Sequence, residues 1–183
     1  KRIKDSEHRI EAKCKHFGIC GGCKWQNMKY DSQLYFKQKE VFNNLKRIGG
    51  VEFENTNKII ACNETFYYRN KMEFTFSNKR WLTDDEIKNC KIIQEKNACG
   101  FHISGRYDKV IDIEECHLQK EPSNKIRNSI KEFCIKNEIS FFDLRKKEGL
   151  IRNLLIRTGH QNELMVLVQF FNNDLKKINL LMN

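Results

Sequence analysis

Three cysteines lie within ten residues near the start of this 183-residue sequence. Five residues separate Cys14 from Cys20, and two separate Cys20 from Cys23. Thiolates are soft ligands for zinc and iron, and Gly21 and Gly22 allow the tight backbone bends that gather such ligands. A zinc ribbon normally has two Cys-x-x-Cys pairs, whereas three clustered cysteines with a distant partner are typical of an iron–sulfur cluster. The spacing therefore favours a cluster over the two alternatives, a zinc site and unligated thiols.

A fourth ligand would come from the cysteines that stand alone, which are Cys62, Cys90, Cys99, Cys116 and Cys134. Cys134 falls on the apolar face of a predicted helix, where a thiol packs as a small hydrophobe. Cys62 falls in a predicted strand, and nothing favours Cys90 or Cys99. Cys116 follows a predicted strand in a loop, from which a side chain can reach a site elsewhere. The residues alone leave the choice open, with Cys116 as a candidate.

The charge balance indicates a polyanionic partner. The formal net charge is +10, from 34 Lys and Arg against 24 Asp and Glu. No long apolar run or amphipathic basic helix is present, so nucleic acid is favoured over a membrane; the alternative is that the charge only aids solubility. Five scattered cysteines and the absence of a signal peptide argue against a disulfide scaffold. We expect a monomer in the reducing cytoplasm.

The remaining elements must position these residues. Residues 1–13 are polar and indicate a linker. Apolar residues from 31 to 47 follow helical spacing, and Gly49-Gly50 ends that helix. Strand-like alternation follows at 58–62 and 66–77, then a hairpin over 100–113, a helix after Pro122, and strands at 150–158 and 163–171. The last strand is apolar on both faces at Met165–Val168, which predicts a central strand.

These elements predict an α+β fold. In it, a small cysteine-rich loop and helix bind a cluster and pack on an antiparallel β-sheet with flanking helices. A capped amphipathic helix is expected to begin at residue 172 and run to the last residues.

The cysteine segment and several later motifs together resemble the S-adenosylmethionine-dependent RNA uracil-C5 methyltransferases, which form 5-methyluridine in ribosomal and transfer RNA. The resemblance rests on Cys14-x5-Cys20-Gly-Gly-Cys23-x-Trp-Gln, on the helix that follows it to Gly49, and on Tyr68-Arg-Asn-Lys. It continues through Gly100-Phe-His, Val110-x-Asp-Ile-x2-Cys116 and Gly149-Leu-x-Arg, and covers about residues 9–175.

The resemblance implies a [4Fe-4S] cluster on Cys14, Cys20, Cys23 and Cys116, and S-adenosylmethionine bound by a Rossmann-like catalytic domain that is absent here. It implies the following division: a linker at 1–13, a cluster loop and helix at 14–50, a β-rich RNA-binding domain at 51–171, and a linker helix starting at 172–183. The chain would then bind RNA without methylating it, and we expect no catalytic residue within it.

For RNA contacts, the resemblance directs attention to Lys24, Trp25, Arg69 and Lys71, with Phe101 or His102 stacking on a base. We expect 23S ribosomal RNA ahead of transfer RNA as the partner. The main alternative is a stand-alone nucleic-acid-binding module that is stabilised by zinc or a cluster and has no catalytic role. A ferredoxin-like electron carrier is a second alternative, and the strong positive charge counts against it.

Overall fold

The computed structural model describes residues 3–89, 95–161 and 163–183, so Cys90 lies outside the described residues. The chain divides into two compact units. The first comprises residues 1–17 and 23–65, and the second comprises residues 18–22 and 66–183.

The first unit contains α1, which spans Tyr30–Arg47. Asp31 in the first turn and Lys46 and Arg47 in the last turn have the charges that favour the two ends of the helix dipole. The helix ends before Gly50, which has a φ of +62°. Glycine adopts this left-handed conformation without strain, so the pair of glycines is a natural stop. The predicted helix is confirmed.

Residues 51–65 form no strand. Their backbone instead bonds to side chains of α1: the Cys62 N–H donates to the Tyr30 hydroxyl at 2.7 Å, and Gln38 Nε2 donates to the Asn57 carbonyl at 2.8 Å. Backbone groups need partners, and here a helix surface supplies them in place of a neighbouring strand. The strand predicted over 58–62 is therefore wrong.

The second unit contains, in the described part of the chain, a five-stranded antiparallel sheet. Its strands are β1 (Lys71–Ser77), β2 (Ala98–His102), β3 (Val110–Asp112), β4 (Ile151–Thr158) and β5 (Leu164–Phe170). They are arranged in the order β3-β2-β1-β4-β5, so β1 is central and β3 and β5 form the edges.

Three helices accompany this sheet among the described residues: α2 (Asp84–Lys88), α3 (Ser123–Lys136) and α4 (Leu175–Met182). Thr83 begins α2 with a capping box, in which its hydroxyl accepts from the Glu86 N–H and the Glu86 carboxylate accepts from the Thr83 N–H. Asp174 caps α4 by accepting from the Lys177 N–H at 3.2 Å.

The core of the second unit lies on one face of the sheet. Met72, Phe74 and Phe76 alternate along β1 and are at most 2% exposed. Leu154 and Ile156 of β4 lie opposite Phe74 and Met72 and are also buried. Because successive strand residues point to opposite faces, this core set directs the intervening residues of β1 to the other face.

The position of β5 differs from the prediction. It pairs with β4 on one side and forms an edge of the sheet, and Met165, Val166 and Leu167 are 40–49% exposed. The prediction of a central strand from apolar residues on both faces is therefore wrong for this chain.

The predicted fold class is wrong in its cluster-binding loop. Across residues 3–89, 95–161 and 163–183, no group of three or more His, Cys, Asp or Glu side chains could hold a metal ion. Cys14 and Cys23 belong to the first unit and Cys20 to the second. The reason is local, because Cys20 pairs with Ile103 and the Gly21 N–H donates to the His102 carbonyl at 3.0 Å, so this stretch lies antiparallel beside the end of β2. The structure is a five-stranded antiparallel sheet with four helices in its described part.

Within the described ranges, no helix combines the length and the apolar character needed to cross a membrane.

Candidate nucleic-acid interface

The face of the sheet opposite the core is polar. It contains Lys71, Glu73 and Thr75 of β1, with Arg157 opposite Lys71 and Asn153 opposite Thr75 on β4; these five residues are called the polar face below. Lys71 and Arg157 are both exposed. Like charges directly opposite each other on neighbouring strands destabilise a sheet. An anion bound beside them would relieve the repulsion, so this end of the polar face suits a phosphate group.

Asn153 connects three strands across the polar face. Its Nδ2 donates to Glu73 Oε1 at 3.2 Å and to Gln169 Oε1 at 2.9 Å. These hydrogen bonds fix the orientation of the amide and give the Glu73 carboxylate a donor within the sheet.

A cleft of about 340 Å³ opens on the polar face. Its lining includes Thr75, His102, Tyr107, Arg152 and Asn153. His102 Nε2 lies 3.5 Å from Thr75 Oγ1, and Tyr107 is 73% exposed. Unpaired bases in RNA are bound by stacking on aromatic rings and by hydrogen bonds to their edges. The cleft offers both kinds of contact, so a single nucleobase is the ligand that its chemistry suits.

The cleft also contains a neutralised carboxylate. Asp108 lines it and forms an ion pair with Arg145 at 2.5 Å. Burial raises the pKa of Asp108, but the hydrogen bond and the charge of Arg145 outweigh burial and lower the pKa below its usual value. The Arg152 guanidinium lies 4.9 Å from the centroid of the Phe142 ring, which orients it. The negative charge of Asp108 is therefore balanced, and Arg152 provides a cation to the same cleft.

The structure brings together some of the residues predicted to bind RNA. Lys71 and His102 lie on the polar side of the sheet, and Arg69 is exposed just before β1, where its N–H donates to the Leu118 carbonyl at 2.8 Å. Phe101 points to the opposite face, where its ring centroid lies 5.2 Å from that of Phe74. Alternation along β2 thus separates Phe101 from His102.

Sequence reasoning missed Tyr107, Arg152 and Asn153. A signal was available for Asn153, since it is a polar residue among the apolar residues of a predicted strand. For Tyr107 no signal existed, because it belongs to the β2–β3 loop and its place beside the sheet depends on that loop's path.

No family model matches the chain. An uncharacterized RNA methyltransferase of Bacteroides thetaiotaomicron is 50% identical to it over 155 residues, which cover 85% of this chain and 34% of that protein. The tRNA (uracil(54)-C(5))-methyltransferase of Pyrococcus abyssi is 32% identical over 170 residues, which cover 93% of this chain and 35% of that protein. The crystal structure of the Pyrococcus abyssi tRNA (uracil-54, C5)-methyltransferase in complex with S-adenosyl-L-homocysteine matches with a TM-score of 0.66 and 27% identity. That match covers 100% of this chain and 37% of the other.

This chain belongs to the uracil-C5 RNA methyltransferase family. It spans about a third of the length of the curated relatives that it matches. The resemblance predicted from the cysteine segment and the later motifs is confirmed.

For a uracil-C5 methyltransferase, the resemblance implied a [4Fe-4S] cluster on four cysteines. In the structure, Cys14, Cys20 and Cys23 are half-buried, and Cys116 is buried. They are divided evenly between the two units, and no metal-holding group is found among the described residues. The assignment of these four cysteines as ligands stays a prediction from the sequence.

The Cys116 loop is held by polar residues of α3. The Cys116 N–H donates to Asn124 Oδ1 at 2.8 Å, and Arg127 Nη1 donates to the same oxygen at 3.0 Å. Arg127 Nη2 also donates to the Glu114 carbonyl at 2.6 Å, and its guanidinium lies 4.9 Å from the Phe74 ring centroid. Arg127 is fully buried, and this burial lowers its pKa. The buried face of α3 is therefore partly polar, and its polar groups fix where Cys116 lies.

Two further residues that were predicted to contact RNA lie in the first unit. Lys24 is exposed, and Trp25 is half-buried with the Lys37 ammonium 5.4 Å from its ring centroid. The Trp25 carbonyl accepts from Gln33 Nε2 at 3.0 Å, which ties the end of the cysteine segment to α1.

Proposed function

We propose that this chain is the RNA-binding segment of an enzyme that transfers a methyl group from S-adenosylmethionine to C5 of uracil in RNA. The observation that carries the proposal is its 50% identity to one RNA methyltransferase and its 32% identity to a tRNA uracil-C5 methyltransferase, each over most of the chain. A structural relative with S-adenosyl-L-homocysteine, the product left after methyl transfer, supports S-adenosylmethionine as the donor.

The chemistry explains why a separate RNA-binding segment is useful. Uracil C5 is a poor nucleophile until a thiolate adds to C6, so the base must leave its stack and enter a pocket that holds the thiolate and the donor. We assign none of those catalytic groups to this chain. Its role in the proposal is to hold the RNA around the extruded base.

The contacts follow from the polar face. Lys71, Arg157 and Arg69 would bind phosphates, and the cleft between His102 and Tyr107 would take an unpaired base beside the target. Lys24 and Trp25 of the first unit would add a phosphate contact and a stacking contact.

The substrate proposed from the sequence is 23S ribosomal RNA in the cytoplasm. Transfer RNA is the second candidate, favoured by the similarity to the tRNA (uracil(54)-C(5))-methyltransferase of Pyrococcus abyssi. The test is to incubate the full-length protein with labelled S-adenosylmethionine and each RNA, and to measure 5-methyluridine by mass spectrometry. Methylation of transfer RNA alone would reject the ribosomal substrate and leave the reaction class in place, whereas no 5-methyluridine in either RNA would reject the function.

The base-binding cleft can be tested separately by equilibrium binding of an RNA stem-loop. Stacking on one aromatic ring contributes about 1–3 kcal/mol, so Tyr107→Ala should weaken binding about 10-fold. Tyr35→Ala is the matched control, because Tyr35 is an exposed tyrosine on α1, outside the cleft. Equal RNA affinities of the two variants would show that the cleft is not part of the RNA interface.

The phosphate contacts have a different signature. Each lost contact should reduce the slope of log K against log salt by about 1, without changing which RNA is preferred. We therefore expect Lys71→Gln with Arg157→Gln to reduce that slope by about 2, and an unchanged slope would reject these contacts.

Cys14, Cys20 and Cys23 are proposed as ligands on their spacing and on the family resemblance, and Cys116 on the resemblance. Iron and sulfide analysis after anaerobic purification tests this directly, with Cys116→Ser expected to lose as much iron as Cys20→Ser. Cys99→Ser is the control, because Cys99 is a buried thiol that the assignment does not use. Full iron content in Cys116→Ser would reject that ligand, and wild-type protein without iron would reject the cluster.

A further inference from the structure

β5 has the composition of a buried strand and the position of an exposed one. Of its seven residues, Gln169 is polar, none is charged, and the others are apolar on both faces. Strands of this composition occur where both faces of a sheet are covered, whereas edge strands usually carry charges, prolines or bulges that prevent further pairing.

The backbone of β5 is equally unusual. Its partner is β4, and no other described residues form a ladder with it. The other edge of the sheet is closed, because residues 79–81 pair with β3 through Arg80 and Val110. β5 is thus the edge at which this sheet can accept another strand.

α4 also has exposed apolar residues. It begins five residues after β5 and is tied to the C-terminal end of α3 by the Lys177 ammonium, which donates to the Glu138 carbonyl at 2.6 Å. Leu175, Leu180 and Met182 remain exposed on it. A strand followed by a helix is the first part of a β–α–β unit, in which the helix leads to a further strand of the same sheet.

We propose that, in the full-length protein, β5 is an internal strand whose outer edge pairs with a strand from the polypeptide outside residues 1–183. The length of that polypeptide supports this occupant, since the chain covers only 33–37% of the relatives it matches. An added strand would satisfy the outer N–H and C=O groups of β5, and its side chains together with those around it would cover Val166 and Leu167 on the two faces.

Hydrogen exchange of the full-length protein, without RNA, tests this proposal without any variant. In an edge strand every second amide exchanges fast, whereas in an internal strand successive amides are all protected. We expect slow exchange at consecutive residues from 164 to 170, unchanged on 100-fold dilution. Fast exchange at alternate residues would overturn the proposal. So would protection that is lost on dilution, which indicates a second copy, or protection that needs added RNA.

A pair of substitutions gives an independent measurement. Val166→Lys and Leu167→Lys place a charge on each face of β5, and each should lower the Tm of the full-length protein by about 4 °C or more if the strand is covered. The control is Ile60→Lys, because Ile60 is exposed in the first unit and lies in no strand. If the two β5 variants have the same Tm as the Ile60→Lys control, the proposal is overturned. The methyltransferase assay is not used here, so failure of this inference leaves the proposed function standing.

Discussion

The two edges of the sheet are built in opposite ways. β3 has three residues, and Val110 within it is 1% exposed. Residues 79–81, the covering segment, lie along it: the Trp81 N–H donates to the Val110 carbonyl at 2.8 Å, and the Val110 N–H donates to the Lys79 carbonyl at 3.4 Å. β5 has seven residues and pairs on one side within the described chain.

Polar contacts hold the covering segment in place. Lys79 forms an ion pair with the buried Asp143 at 3.3 Å, and Arg80 forms one with Glu86 at 2.5 Å. Burial raises the pKa of Glu86, but its hydrogen bonds with Thr83 and the charge of Arg80 lower it overall. The capping box of α2 therefore also orients the residue that anchors Arg80.

This difference shows which residues complete each edge of the sheet. The β3 edge is completed by residues within this chain, so its burial and its pairing agree. At β5 the composition predicts burial and the structure shows exposure, and a locally inconsistent strand of this kind points to a partner outside the chain.

The largest effect is expected from a change that breaks the closed edge. A Cβ at Gly100 of β2 would lie 2.2 Å from the Ile111 carbonyl oxygen of β3, so Gly100→Ala must push the two strands apart. We expect a loss of about 3 kcal/mol in the free energy of unfolding, measured by urea titration.

Gly159→Ala is the control at the other edge. Gly159 lies in the β4–β5 turn, and its Cβ would meet the end of the flexible Glu163 side chain, which can move away. Its cost should be below about 1 kcal/mol. Equal costs for the two variants would contradict the contrast between a tightly closed edge and an open one.

A matched pair of valines gives the next largest effect. Val110→Ala removes two buried carbons and should cost about 2 kcal/mol, whereas Val166→Ala at 40% exposure should cost less than about 0.5 kcal/mol in the 183-residue chain. Chemical denaturation of both variants measures the difference. If Val166→Ala cost as much as Val110→Ala, β5 would already be buried in this chain.

Much of the sheet could be predicted from the sequence. The alternation of Met72, Phe74 and Phe76 identified the core face of β1, because apolar residues at every second position predict a strand with that one face buried. For β5 both faces are apolar, and the same rule then indicates burial without saying what supplies it.

The site was less predictable than the sheet. Phe101 and His102 were predicted as equivalent stacking residues, although their adjacency in a strand sends them to opposite faces. Arg127 and Asn124 could not be recognised, since a polar residue on a helix face gives no sign that it is buried until its partners, the Cys116 and Glu114 backbone groups, are known. Close spacing of Cys14, Cys20 and Cys23 likewise indicates their type of ligand chemistry and not their positions in the fold.

Acid should weaken the closed edge selectively. Burial raises the pKa of Asp143, but the N–H groups of Lys146 and Arg145 and the side chains of Asn78 and Lys79 outweigh burial and lower it to about 2. A pKa that is lower in the folded state stabilises the fold above the unfolded-state value, and this contribution is lost as the pH falls from 3.8 towards 2.

We therefore expect Asp143→Asn to be less stable than wild type at pH 6 and to lose less further stability between pH 4 and pH 2, as measured by urea titration at each pH. Asp85→Asn, an exposed change on α2, is the control and should follow the wild-type curve. Parallel curves for Asp143→Asn and wild type would show that the carboxylate does not hold the covering segment.

The smallest effect on stability should come from a charge on the open edge. Leu167 is 49% exposed, so Leu167→Lys should change the free energy of unfolding of the 183-residue chain by less than about 0.5 kcal/mol. The same change should sharply reduce self-association, measured by light scattering at rising concentration, because a lysine on an edge strand prevents edge-to-edge pairing. Lys176→Leu, which adds an apolar residue to the exposed surface of α4 without touching the strand, tests whether any apolar surface has this effect. If Leu167→Lys self-associates as strongly as wild type, the edge of β5 is protected within this chain. The contrast between the two edges would then disappear.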